Sequence, residues 1–138
     1  MPPTAAGLIA PELQLLNESS ASGYINFMRD NIASGVGQYQ GTVNNVAYDR
    51  RDMQHDWTPE IALAATPADL ANNITGRLLT VTPSAALMTE LVQTASTISI
   101  PALNATGSNL AAVNTAKRDR INAMLLLTLA SPDFIVQK

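Results

Sequence analysis

A chain of 138 residues and 14.6 kDa, about a quarter of them Leu, Ile, Val or Phe, holds enough apolar side chain for one domain and is not disordered as a whole. With no cysteine it builds no disulfide, Cys-ligated zinc or iron-sulfur centre and no thiol nucleophile, and eight basic against eleven acidic residues, a net charge of -3, point away from nucleic acid. The longest strongly apolar run, Ala123 to Ala130, is interrupted by Thr128 and falls far short of the ~20 residues that cross a bilayer.

Charged residues make up 14% of the chain against about 25% in an ordinary domain, so Asn, Gln, Ser and Thr supply the polar surface. That balance suits an exported bacterial protein or a part of a larger assembly. Met1 to Ala10 has no basic n-region and no apolar stretch of signal length, so any export signal is expected to lie outside this chain. Asn-x-Ser/Thr triplets at Asn17, Asn73 and Asn104 are what chance produces in a sequence this rich in Asn and Thr.

In chain order, Ser20 to Ser34 places Tyr24, Phe27, Met28 and Ile32 at i, i+3, i+4 and i+8, with Arg29 and Asp30 opposite, and predicts an amphipathic helix stopped by Gly35. Gly35 to Asn45, with three glycines and no apolar period, reads as a loop. Helix starts then recur as a hydroxyl residue before proline: Thr58-Pro59, Thr66-Pro67, Thr82-Pro83 and Ser131-Pro132, with Glu60, Asp69 and Asp133 in the following turns where the helix dipole favours negative charge. Leu70, Ile74 and Leu78 mark one buried helix face. Leu87, Leu91 and Ile98, with Met88 and Val92 alongside, mark another. Ile98 to Ser108 reads as a second loop, and Asn109 to Ala130 as a long helix whose Met124 to Leu127 stretch is apolar on every side and hence central. The expectation is an all-α fold: an irregular bundle of four to six helices with two longer loops and no organising sheet, forming a single domain over residues 1–138.

The densest polar stretch, Tyr48 to Trp57, carries the only His and the only Trp. Were it helical, Asp52, His55 and Asp56 would share a face and could offer a nitrogen and two carboxylates to a divalent metal. The plainer alternative is a solvated loop whose Arg50 and Arg51 pair with nearby acids while Trp57 anchors it on the core. Asp49, Asp52, Asp56 and Glu60 could likewise assemble a carboxylate pair, but spacing does not separate that from an ordinary polar face. No Ser sits in a Gly-x-Ser-x-Gly elbow, and Gly35-Val36-Gly37 lacks the rest of a phosphate-binding loop. Lys117, Arg118 and Arg120, broken by Asp119 and without a neighbouring aromatic, read as a solvated helix face. The alternative is that Arg120 is buried against a region outside the chain.

Two blocks carry a family resemblance. Gly7-Leu8-Ile9-Ala10-Pro11-Glu12-Leu13-Gln14-Leu15 with Asn17-Glu18-Ser19-Ser20, and Arg120-Ile121 with Leu125-Leu126-Leu127, Leu129 and Ser131-Pro132-Asp133-Phe134-Ile135-Val136-Gln137, resemble segments of the bacterial family catalogued as domain of unknown function 1800. The resemblance implies the C-terminal portion of a longer, mostly helical, exported bacterial protein, and it carries no catalytic or binding residue onto this sequence. The expected role is a structural or protein-interaction module without catalysis of its own, with no catalytic, cofactor-binding or metal residue assigned. Its partner would be another protein or an N-terminal region of the same protein, and self-association is possible through apolar surface left uncovered. The alternative is a fragment of a hydrolytic or metal-dependent enzyme, with Asp49 to Trp57 supplying part of a site completed elsewhere.

Overall fold

The computed structural model describes residues 18–39, 42–43, 46–47 and 51–136, with the backbone alone described at 38–39, 42–43 and 46–47. Six helices lie among them: α1 (Glu18–Ser34), α2 (Thr58–Leu63), α3 (Pro67–Leu78), α4 (Ala85–Thr97), α5 (Leu110–Ala130) and α6 (Pro132–Ile135). The fold is an irregular all-α bundle. Its axis is α5, which packs against every other helix and contributes the buried Val113, Ile121, Met124, Leu125 and Thr128. The expected faces of α3 and α4 meet it there: Leu70 and Ile74 from one, Leu87, Leu91 and Ala95 from the other, are buried in a common core. Ala71 and Ala95, both fully buried, leave room for close helix approach. Thr75 and Thr128 enter the same core because each hydroxyl donates to the carbonyl four residues back, Ala71 and Met124, at 2.8 Å.

The first expected loop is in part sheet. β1 (Val36–Tyr39) pairs antiparallel with β4 (Arg51–Met53), and β2 (Thr42–Val43) with β3 (Val46–Ala47), Thr42 opposite Ala47 and Val43 opposite Val46. Polar contacts, not apolar alternation, hold the β1–β4 arm to α1. Arg51 pairs with Asp30 and donates to the Gly37 carbonyl at 2.8 Å, while Gln54 Nε2 donates to the Ser34 carbonyl at 2.8 Å. Gly35 makes the turn between α1 and β1 at φ +85°, where an added Cβ would stand 2.1 Å from the Met53 carbonyl oxygen. The second loop is as expected free of helix over 98–108. Asn109 closes it, accepting from the Asn104 N–H at 3.0 Å and donating to the Ala102 carbonyl at 2.8 Å.

Of the four hydroxyl-proline starts, only Ser131 caps with its own side chain, accepting from the Phe134 N–H at 3.3 Å. Thr58 is served instead by Asp56, whose Oδ1 accepts from both its N–H (3.0 Å) and its hydroxyl (2.6 Å). Thr66 turns its hydroxyl back to the Leu63 carbonyl at 3.2 Å, closing α2 rather than opening α3. After Thr82-Pro83 the helix starts later, with Ser84 as cap to the Leu87 N–H at 3.2 Å. Arg120 corrects the reading of a solvated basic face: half-buried, it donates from Nε to the Ile98 carbonyl at 2.7 Å and from Nη1 to the Ala64 carbonyl at 3.0 Å. Those residues are the C-caps of α4 and α2, so one guanidinium meets the negative ends of two helices within this chain.

Candidate binding cleft

A half-open cleft of about 660 Å³ lies between α1 and the α2–α3 pair, all three of which pack on α5. Ile74 and Leu125, both buried, contribute to its lining together with Leu78 and Leu129. Phe27, Met28 and Ile32 of α1 and Val36 of β1 bring one side, and His55, Asp56, Trp57, Glu60 and Arg77 the other. The size falls within the ~300–1,000 Å³ usual for ligand sites, which are mostly apolar with a few placed polar groups.

The α2 helix positions the polar wall. Trp57, Ile61 and Ala64 form its inward stripe at i, i+4 and i+7, and Glu60 lies within that stripe. Glu60 is consequently only 2% exposed. Its Oε1 is paired with Arg77 of α3, a side chain 59% exposed, and its Oε2 is sealed from solvent with no hydrogen-bond partner. A buried, half-paired carboxylate is costly, so Glu60 does not serve packing alone. At the mouth, the His55 and Trp57 rings lie 4.8 Å apart, tilted by 38°. The two hydrogen bonds from Thr58 hold the Asp56 carboxyl below the ordinary aspartate value of 3.8, with a smaller lowering from Arg77.

Asp52, His55 and Asp56 are not on one helical face: Asp52 belongs to β4, and His55 and Asp56 follow in irregular chain. Asp52 lies against Gly37, its Oδ2 3.0 Å from where a Cβ there would stand. Among the described residues no group of three or more His, Asp and Glu is placed to hold a metal ion. Tyr48, Asp49 and Arg50 lie outside the described residues, as does most of the first block of the family resemblance. Of the four carboxylates weighed for a pair, Asp56 and Glu60 do reach the same cleft. Sequence reasoning reached His55, Asp56 and Trp57 but missed Arg77 and the α1 side. The available signal was the acid inside the Trp57, Ile61, Ala64 stripe, which demands a partner.

Comparison with protein-family models, curated proteins and solved structures returned no match for this chain.

Proposed function

We propose that the chain is a protein-interaction module without catalysis of its own, and that its working surface is the cleft between α1 and the α2–α3 pair. The observation that carries this is an apolar lining that continues onto an exposed lip, Phe27 at 60% and Val36 at 37%, area that a partner larger than the cavity would bury. The family resemblance and the low charge support placing it in a longer exported bacterial protein. Among the described residues no helix is long and apolar enough to cross a membrane.

One fact favours a second reading, an enzyme site completed elsewhere: His55, Asp56 and Glu60 line the same cleft. Titration with the neutral apolar dye Nile red, followed by the emission of Trp57, separates the two when joined to assays of chromogenic esters and phosphodiesters. The module binds dye saturably, loses affinity several-fold on Phe27→Ser, and turns nothing over. Absence of dye binding overturns it, and hydrolysis abolished by His55→Ala replaces it with the enzyme reading.

A further inference from the structure

We propose that the cleft is built to receive a lysine side chain from the partner polypeptide, its ammonium meeting Glu60; this rests on the interaction reading above. Among the described residues, the carboxylates of Glu60 and Asp56 and the guanidinium of Arg77 face the cleft, two acidic groups to one basic. Glu60 is an acceptor with capacity to spare, since an ionised carboxylate takes up to about four hydrogen bonds and Oε2 takes none. Arg77 is the group that yields. It is 59% exposed, so it swings into water as an incoming ammonium takes its place beside Glu60 and the buried carboxylate is never left uncompensated, whereas Glu60 itself is locked in the wall.

Lysine fits the rest of the lining. Its four-carbon stem lies along apolar surface while its head seeks charge, and the faces of Trp57 and Phe27 are surfaces on which a cation is favoured. A free amine would meet Glu60 but leave the rest of the cleft and the Phe27 and Val36 lip bare, which is why the cation is assigned to a polypeptide with apolar neighbours.

The test is titration of the whole chain, by Trp57 emission and thermal shift, with a blocked pentapeptide Leu-Ala-Lys-Ala-Leu, the same peptide with norleucine for lysine, and hexylammonium. The lysine peptide is expected to bind about tenfold tighter than the norleucine one, and Glu60→Gln to erase that difference while Nile red still binds. If Glu60→Gln does not fold, Arg77→Met serves: it removes the competing cation, and the lysine peptide should raise its melting temperature more than that of the native chain. Equal affinity for the two peptides with dye binding intact overturns the role of Glu60 and leaves the interaction reading standing. Hexylammonium binding as tightly as the lysine peptide overturns the assignment to a polypeptide. Failure of both peptides and of the dye overturns the interaction reading itself.

Discussion

Arg120 ties the ends of two helices to a third through one side chain. Its two hydrogen bonds end α2 and α4 on the same guanidinium, and charge-assisted bonds of this kind contribute about 1.5–3 kcal/mol each, less when water can replace them. Arg120→Ala is expected to lower stability by about 2–4 kcal/mol, measured by urea denaturation of this chain alone. Lysine should restore only part, since it cannot hold both carbonyls in one plane. Asp56 offers a second check at this scale. Its carboxyl is held below its ordinary value by the bonds from Thr58, so the stability it brings is present above about pH 4 and is lost as pH falls through the lowered value. The denaturation midpoint of the native chain should therefore exceed that of Asp56→Ala at pH 5, with the gap closing toward pH 2.

At the scale of elements, the junctions decide more than the helices themselves. Ser131 is at once the C-cap of α5 and the N-cap of α6, donating to the Thr128 carbonyl at 2.6 Å and accepting from the Phe134 N–H. Asp133 in the next turn accepts from the Ser84 N–H at 2.7 Å, completing from a distant helix the cap that α4 cannot complete alone, because its third residue is Leu87 rather than Glu or Gln. The helices α4, α5 and α6 are thus joined through side chains that look like local caps. Gly35 shows the same dependence. Gly35→Ala forces a Cβ into the Met53 carbonyl at a left-handed φ, and the strain alone costs about 1–3 kcal/mol. Hydrogen exchange is expected to accelerate across β1 and β4 with α3 to α5 unchanged; uniform acceleration would mean that the arm and bundle unfold together.

Why some of this was legible in the sequence and some not follows from where the partner of each group lies. Leu70, Ile74 and Leu78, like Leu87 and Leu91, declare α3 and α4 because helical spacing is local. Thr58, Thr66 and Thr82 misplace their caps because Asp56, the end of α2 and Ser84 compete for the same N–H and C=O groups, a contest spacing alone does not resolve. Phe27, set by its spacing among the core residues of α1, is 60% exposed because it stands on the lip of the cleft, while Tyr24 of the same face is held by its hydroxyl donating to the Leu129 carbonyl at 2.8 Å. The β1–β4 pairing was invisible because it is anchored to α1 by the Arg51–Asp30 pair and by Gln54 rather than by alternating apolar residues. The Tyr48 to Trp57 stretch stood out as a candidate, yet among its described residues the cleft-facing part is the last three, and Glu60 and Arg77 became a pair only when α2 folded beside α3.

For the molecule as a whole, the presence of a carboxylate in that wall has an energetic consequence that separates binding from stability. Removing one member of a buried pair leaves an uncompensated charge and costs about 3–5 kcal/mol, toward the lower end here because Arg77 is largely exposed. Removing both in favour of apolar side chains of similar volume is often neutral or stabilising by about 1–4 kcal/mol. The double variant Glu60→Leu, Arg77→Met is therefore expected to match or exceed the native chain in urea midpoint, since Leu at position 60 completes the Trp57, Ile61 and Ala64 stripe and seals the wall against Ile74. The same variant should bind the lysine and norleucine peptides alike. A chain made more stable and less selective by one pair of changes would place the Glu60–Arg77 pair among features held for recognition. A double variant that loses stability by several kcal/mol would instead make the pair part of what holds α2 to α3.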